Sequence, residues 1–99
     1  MNKLFIFVFP NGTLEFKVLV KLMDAIRYFK EVHPNEELPN IVSVCPHTKW
    51  CNINDDKEWI VKTANEDRIL FHKPFTPKVM KSLNPTEFIK KFKPYQYNE

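Results

Sequence analysis

Residues 14–32 read LEFKVLVKLMDAIRYFKEV, and the point at which their apolar period changes decides the fold. Leu14, Phe16 and Val18 alternate with Glu15 and Lys17, the two-residue period of a strand with one covered face. From Val18 onward the period lengthens. Val18, Leu19, Leu22, Met23, Ala25, Ile26, Phe29 and Val32 share one broad helical arc, with Asp24, Arg27 and Glu31 opposite. The spacing predicts an amphipathic helix from Val18 to Val32, about four turns long at 3.6 residues per turn. Residues 14–20 satisfy either period, and Val20 falls on the polar side of the helix. Pro34 stops the helix, because proline lacks an N–H and its ring blocks the turn before it. His33, in the last turn, suits the negative end of the helix dipole.

Upstream, Leu4 to Phe9 is a run of six apolar residues with no alternation. Such a run predicts a strand covered on both faces, or one whose outer face meets a helix or a partner. It ends at Pro10-Asn11-Gly12 without a small-residue cleavage pattern, so it reads as a strand and not as a signal peptide. Asn11-Gly12 tolerates positive φ and predicts a turn, making residues 4–18 an opening β-hairpin.

Downstream, Ile41 to Cys45 is a short strand, and Pro46 to Asp56 is a long irregular stretch rich in Pro, His, Asn and Asp. Glu58–Thr63 and Arg68–His72 are strands around Asn65-Glu66-Asp67, a second hairpin. Thr76-Pro77 resembles a helix N-cap followed by proline at the first helical position. Asn84-Pro85-Thr86-Glu87 repeats the arrangement with glutamate three residues after the cap. The helix it starts carries Phe88, Ile89 and Phe92 on one side, Lys90 and Lys91 on the other, and ends at Pro94. The order is β-β-α-β-β-β-α. It predicts one small α+β domain over residues 1–99, with an antiparallel or mixed sheet of four to five strands. That sheet packs against one long amphipathic helix, with short helices at the C-terminus.

Apolar residues make up 43% of the chain, enough to fill a core at 99 residues. No stretch approaches the roughly 18 apolar residues of a membrane span, so no membrane partner is expected. Two cysteines do not make a disulfide framework, and free thiols in a cytoplasmic protein are the simpler reading. Residues 1–74 hold ten Lys or Arg and ten Asp or Glu, so the net charge of +3 resides entirely in residues 75–99. Those lysines, Lys78, Lys81, Lys90, Lys91 and Lys93, are expected on the outward side of two capped helical segments.

Candidate chemistry is sparse. Cys45, His47 and Cys51 supply zinc-ligand atoms, with His33 or His72 as a fourth, but their spacing departs from the common pairs. The same cysteines suit a short disulfide, and either one beside His33, His47 or His72 would make a nucleophile pair, although no specific signature accompanies them. Asp55, Asp56 and Glu58 are suitable for Mg²⁺, yet two are consecutive at a loop-to-strand junction and read as a solvated turn. Phosphate-binding glycine loops are excluded because Gly12 is the single glycine. No catalytic residue and no cofactor is therefore expected.

The remaining reading is a non-enzymatic protein-interaction module, a small adaptor or inhibitor occupying a surface of a larger intracellular protein. Its interaction residues are Trp50 in a polar loop, Tyr95 and Tyr97 in the tail, and the five lysines facing an acidic patch. The alternative is nucleic-acid association, with the lysines of residues 78–93 on phosphates and Phe92, Tyr95 or Tyr97 stacking on bases. The absence of arginine after Arg68 argues against base reading. Pairing of an edge strand with a second copy is a further route to assembly.

Overall fold

The computed structural model describes residues 2–95. Strand β1 (Lys3–Val8) pairs antiparallel with β2 (Leu14–Leu19), matching Leu4 with Val18, Ile6 with Phe16 and Val8 with Leu14. Gly12 closes this hairpin at φ 89°, and the Asn11 side chain accepts hydrogen bonds from both the backbone N–H and the hydroxyl of Thr13. On its other side β1 pairs with β3 (Asn40–Val44), giving a three-stranded sheet in the order β2-β1-β3. As the central strand, β1 has buried residues on both faces. Leu4 and Ile6 enter one core cluster, while Phe5 and Phe7 enter another with Ala25 and Phe29 of helix α1 (Leu22–Val32). The unalternating apolar run is thus explained by a layer on each side.

Helix α1 is shorter than its sequence predicts, because residues up to Leu19 belong to β2. A helix begun at Val18 would take Val18 and Leu19 out of the ladder with β1 and leave backbone groups there unpaired. The apolar arc shrinks accordingly. Ala25 and Phe29 are buried, whereas Leu22, Met23 and Val32 are exposed. His33 ends the helix, donating its backbone N–H to the Phe29 carbonyl. Its ring lies with Nε2 2.8 Å from Glu15 and Nδ1 3.0 Å from Glu36, so it ties the helix end to β2.

The second sheet corrects the expected architecture. Strands β4 (Lys49–Asn52), β5 (Glu58–Ala64), β6 (Ile69–Lys73), β7 (Thr76–Leu83) and β8 (Phe92–Pro94) are all antiparallel, in the order β7-β6-β5-β4-β8. The chain is therefore mostly β. Among the described residues it has two sheets of three and five strands and two short helices, in place of one sheet under one long helix. The hairpin at Asn65 forms as predicted, with the Asn65 side chain accepting from the N–H groups of Asp67 and Arg68. Thr76–Leu83, expected to be helical, is instead β7. Its pairing of Ile69 with Leu83 and Phe71 with Lys81 satisfies the outer backbone edge of β6, which outweighs a local capping preference of about 1 kcal/mol. Between the pairs Phe71–Lys81 and Lys73–Thr76, β6 advances two residues and β7 five, so three extra residues of β7 arch away from β6.

Helix α2 (Pro85–Lys91) starts where predicted, with the Asn84 side chain accepting from the Glu87 N–H at 2.8 Å. It stops at Lys91, before Pro94, because Phe92–Pro94 pairs with β4. Removing the cap with Asn84→Ala should cost about 1 kcal/mol in urea unfolding, and Asn84→Ser should restore most of it. Phe88 of α2 joins Leu4, Ile6 and Val44 of one sheet and Trp50, Trp59, Val61, Ile69, Phe71 and Phe92 of the other in a shared core. Among the described residues, no helix is long and apolar enough to cross a membrane.

Candidate functional site

The segment from Cys45 to Cys51 forms the corner where the chain passes from the first sheet to the second. It is tightly hydrogen-bonded. The Thr48 hydroxyl donates to the Cys45 carbonyl at 2.6 Å, Trp50 Nε1–H donates to that hydroxyl at 3.1 Å, and the His47 N–H donates to the Val61 carbonyl at 2.7 Å. Trp50 is consequently a core residue on β4, 2% exposed, and not the loop aromatic its polar neighbours suggest. Cys45 and Cys51 are free thiols, the first half-buried and the second buried. Among the described residues no three His, Cys, Asp or Glu side chains gather as metal ligands, so Cys45, His47 and Cys51 are not assembled into a zinc set. His33 is engaged by Glu15 and Glu36, and His72 Nδ1 lies 2.8 Å from the Lys73 carbonyl.

The acidic cluster is likewise dispersed into local contacts. Asp55 accepts from the Lys57 N–H, Asp56 lies 3.6 Å from Lys93, and Glu58 lies 3.8 Å from Lys49. Tyr95 turns back along β4. Its N–H donates to the Lys49 carbonyl, and the Lys49 ammonium lies 5.2 Å from its ring centroid. Tyr95 shares a groove of about 430 Å³ with Ser43, Cys45, His47 and Thr48 at the sheet junction. Tyr97 lies outside the described residues.

The five C-terminal lysines do not form the expected face of two helices. Lys78 and Lys81 are on β7, Lys90 and Lys91 on α2, and Lys93 on β8. Strands β7 and β8 are opposite edges of the five-stranded sheet, four strand spacings or about 19 Å apart. Helix α2 connects those edges, and this brings Lys91 toward Lys81. Both line a cleft with Asn52, Trp59, Phe71, Ser82, Leu83 and Phe92. The Lys81 and Lys73 ammoniums lie 5.1 and 5.4 Å from the Trp59 ring centroid. Trp59 Nε1–H is buried without an acceptor among the described residues.

A further surface escapes the sequence reading. Phe75, in the turn between β6 and β7, is 95% exposed, while the other eight phenylalanines are buried or half-buried. Val79 and Met80, in the part of β7 that arches away from β6, are also exposed; in the chain Lys73 and Lys78 flank Phe75, and Lys78 and Lys81 flank Val79-Met80. The available signal was a phenylalanine bracketed by Pro74 and Pro77, hidden by the resemblance of Thr76-Pro77 to a helix start. No protein-family model, curated protein or solved structure matches the chain.

Proposed function

We propose that this chain is a non-enzymatic binding module, an adaptor or inhibitor that occupies a surface of a larger protein through the tip of the β6–β7 hairpin. The observation that carries the reading is Phe75, left almost fully in water by a fold that covers every other phenylalanine. Burying one such ring is favourable by roughly 1.5–3 kcal/mol, so a partner with an apolar pocket gains that on docking. Val79 and Met80 extend the apolar contact, and Lys73 and Lys78 have no carboxylate partner among the described residues. The complementary surface is an apolar pocket with an acidic rim. The free thiols of Cys45 and Cys51 support a partner in a reducing compartment, the cytoplasm.

The test is affinity capture from host lysate, with and without nuclease, comparing the native chain with Phe75→Ser. The expected result is a nuclease-resistant protein partner whose affinity falls by about 30-fold or more in the variant, the loss of one aromatic hot spot. The melting temperature of Phe75→Ser should be unchanged, because Phe75 is not part of the core. Equal capture by both chains would sink the reading. Recovery only of nuclease-sensitive material, with affinity falling steeply as salt rises, would replace it with phosphate contact to nucleic acid.

A further inference from the structure

We propose that the cleft between β7 and α2 binds a small phosphate-bearing anion, next to the partner surface at the hairpin tip and sharing with it Lys73 alone. Its walls offer donors and cations. The side chains of Lys81 and Lys91 line it, and neither has a carboxylate partner among the described residues, in contrast to Lys49 and Lys93. The Lys73 ammonium lies 5.4 Å from the same Trp59 ring that Lys81 approaches to 5.1 Å, which adds a third positive charge nearby. Asn52 directs its carbonyl oxygen to the Asn54 N–H at 2.8 Å, which leaves its NH₂ group for a ligand. Ser82 contributes a hydroxyl to the lining. Trp59 is also in the lining; its Nε1–H is buried, so its ring and not this N–H meets the cleft.

Like charges gathered at one aromatic ring repel, and an anion between them converts that repulsion into attraction. No carboxylate lines the cleft, so the same groups disfavour a metal cation. Its volume of about 210 Å³ suits inorganic phosphate or a compact phosphomonoester and is below the size of sites for drug-sized ligands. A phosphate dianion carries enough acceptor oxygens to meet two ammoniums and neutral donors together.

The chain has two tryptophans, so two indole N–H resonances report on the site in ¹⁵N-labelled protein. Trp50 serves as the internal control, since its Nε1–H is already donated to Thr48. Sodium phosphate and glycerol phosphate are titrated against sodium chloride at matched ionic strength. The expected result is a saturable shift of the Trp59 indole signal, half-complete at about 1 mM or below, with Trp50 unmoved. The double variant Lys81→Gln, Lys91→Gln should keep the native spectrum elsewhere and weaken binding about 10-fold or more, while Phe75→Ser binds normally. Saturation by both ligands identifies the phosphate group as what is recognised; saturation by glycerol phosphate alone narrows it to a monoester. A Trp59 signal that does not saturate, that moves equally in chloride, or that responds unchanged in the lysine variant overturns the proposal. Response to single-stranded DNA alone does so as well.

Discussion

Replacing Phe88 with alanine is expected to lower unfolding stability by about 3–5 kcal/mol, the cost of deleting a fully buried ring. Phe88 is completely buried, with ring centroids of Phe92, Trp50 and Phe71 at 4.8, 5.1 and 5.7 Å. It is the point at which a helix of seven residues is held against the five-stranded sheet. Domains of this size have only about 5–15 kcal/mol in total, so much of the population should be unfolded at modest urea concentrations. The melting temperature should fall by about 12–40 °C, taking roughly 4–8 °C per kcal/mol. Phe88→Leu, which keeps most of the volume, should cost about 1 kcal/mol. Urea titration followed by tryptophan fluorescence measures both, because Trp50 and Trp59 are in the same cluster. A loss below about 1 kcal/mol for the alanine variant would mean that α2 does not close this core.

The second large effect is Phe29→Ala, expected to cost about 3–4 kcal/mol on the opposite face of the three-stranded sheet. Phe29 stacks on Phe7 and His33, with centroids 5.9 and 4.9 Å away, and meets Phe9 at a tilt at 5.9 Å. Neither tryptophan belongs to this cluster. The informative measurement is therefore whether far-ultraviolet circular dichroism and tryptophan fluorescence still report one transition. They should, at a lower midpoint, because β1 is shared: Phe5 and Phe7 face the helix while Leu4 and Ile6 face the other sheet. Two separated transitions would make α1 an independently melting layer.

These two cores differ in how readable they are. The cluster under α1 is visible in the chain, since Phe5 and Phe7 sit in an unbroken apolar run and Ala25 and Phe29 are four apart on a helix. The central cluster is not, because it is assembled from two sheets and a helix distant in sequence. Trp50 illustrates the difficulty: Thr48, Lys49 and Asn52 around it suggest an exposed loop, yet pairing with β5 and β8 turns its indole inward. The candidate sites fared similarly. Cysteine, histidine and carboxylate groups close in sequence were dispersed into separate contacts. Lys81, Trp59, Lys91 and Asn52, distant in sequence, were brought to one cleft.

What the sequence determined by itself is local. Asn11-Gly12 makes a turn because Gly12 accepts a φ of 89° and the Asn11 side chain accepts from the Thr13 N–H, and Asn84-Pro85 starts a helix because it satisfies an orphan N–H within three residues. The unbroken run in β1 requires cover on both faces wherever that cover comes from. The tertiary structure decided the end of β2, the strand conformation of residues 76–83 and the separation of the lysines to opposite sheet edges. In each of these a local preference of about 1 kcal/mol competed with a ladder of backbone hydrogen bonds and a shared apolar face. The ladder's partners lie elsewhere in the chain, so its larger sum is set by the assembled sheet and is invisible in any one segment.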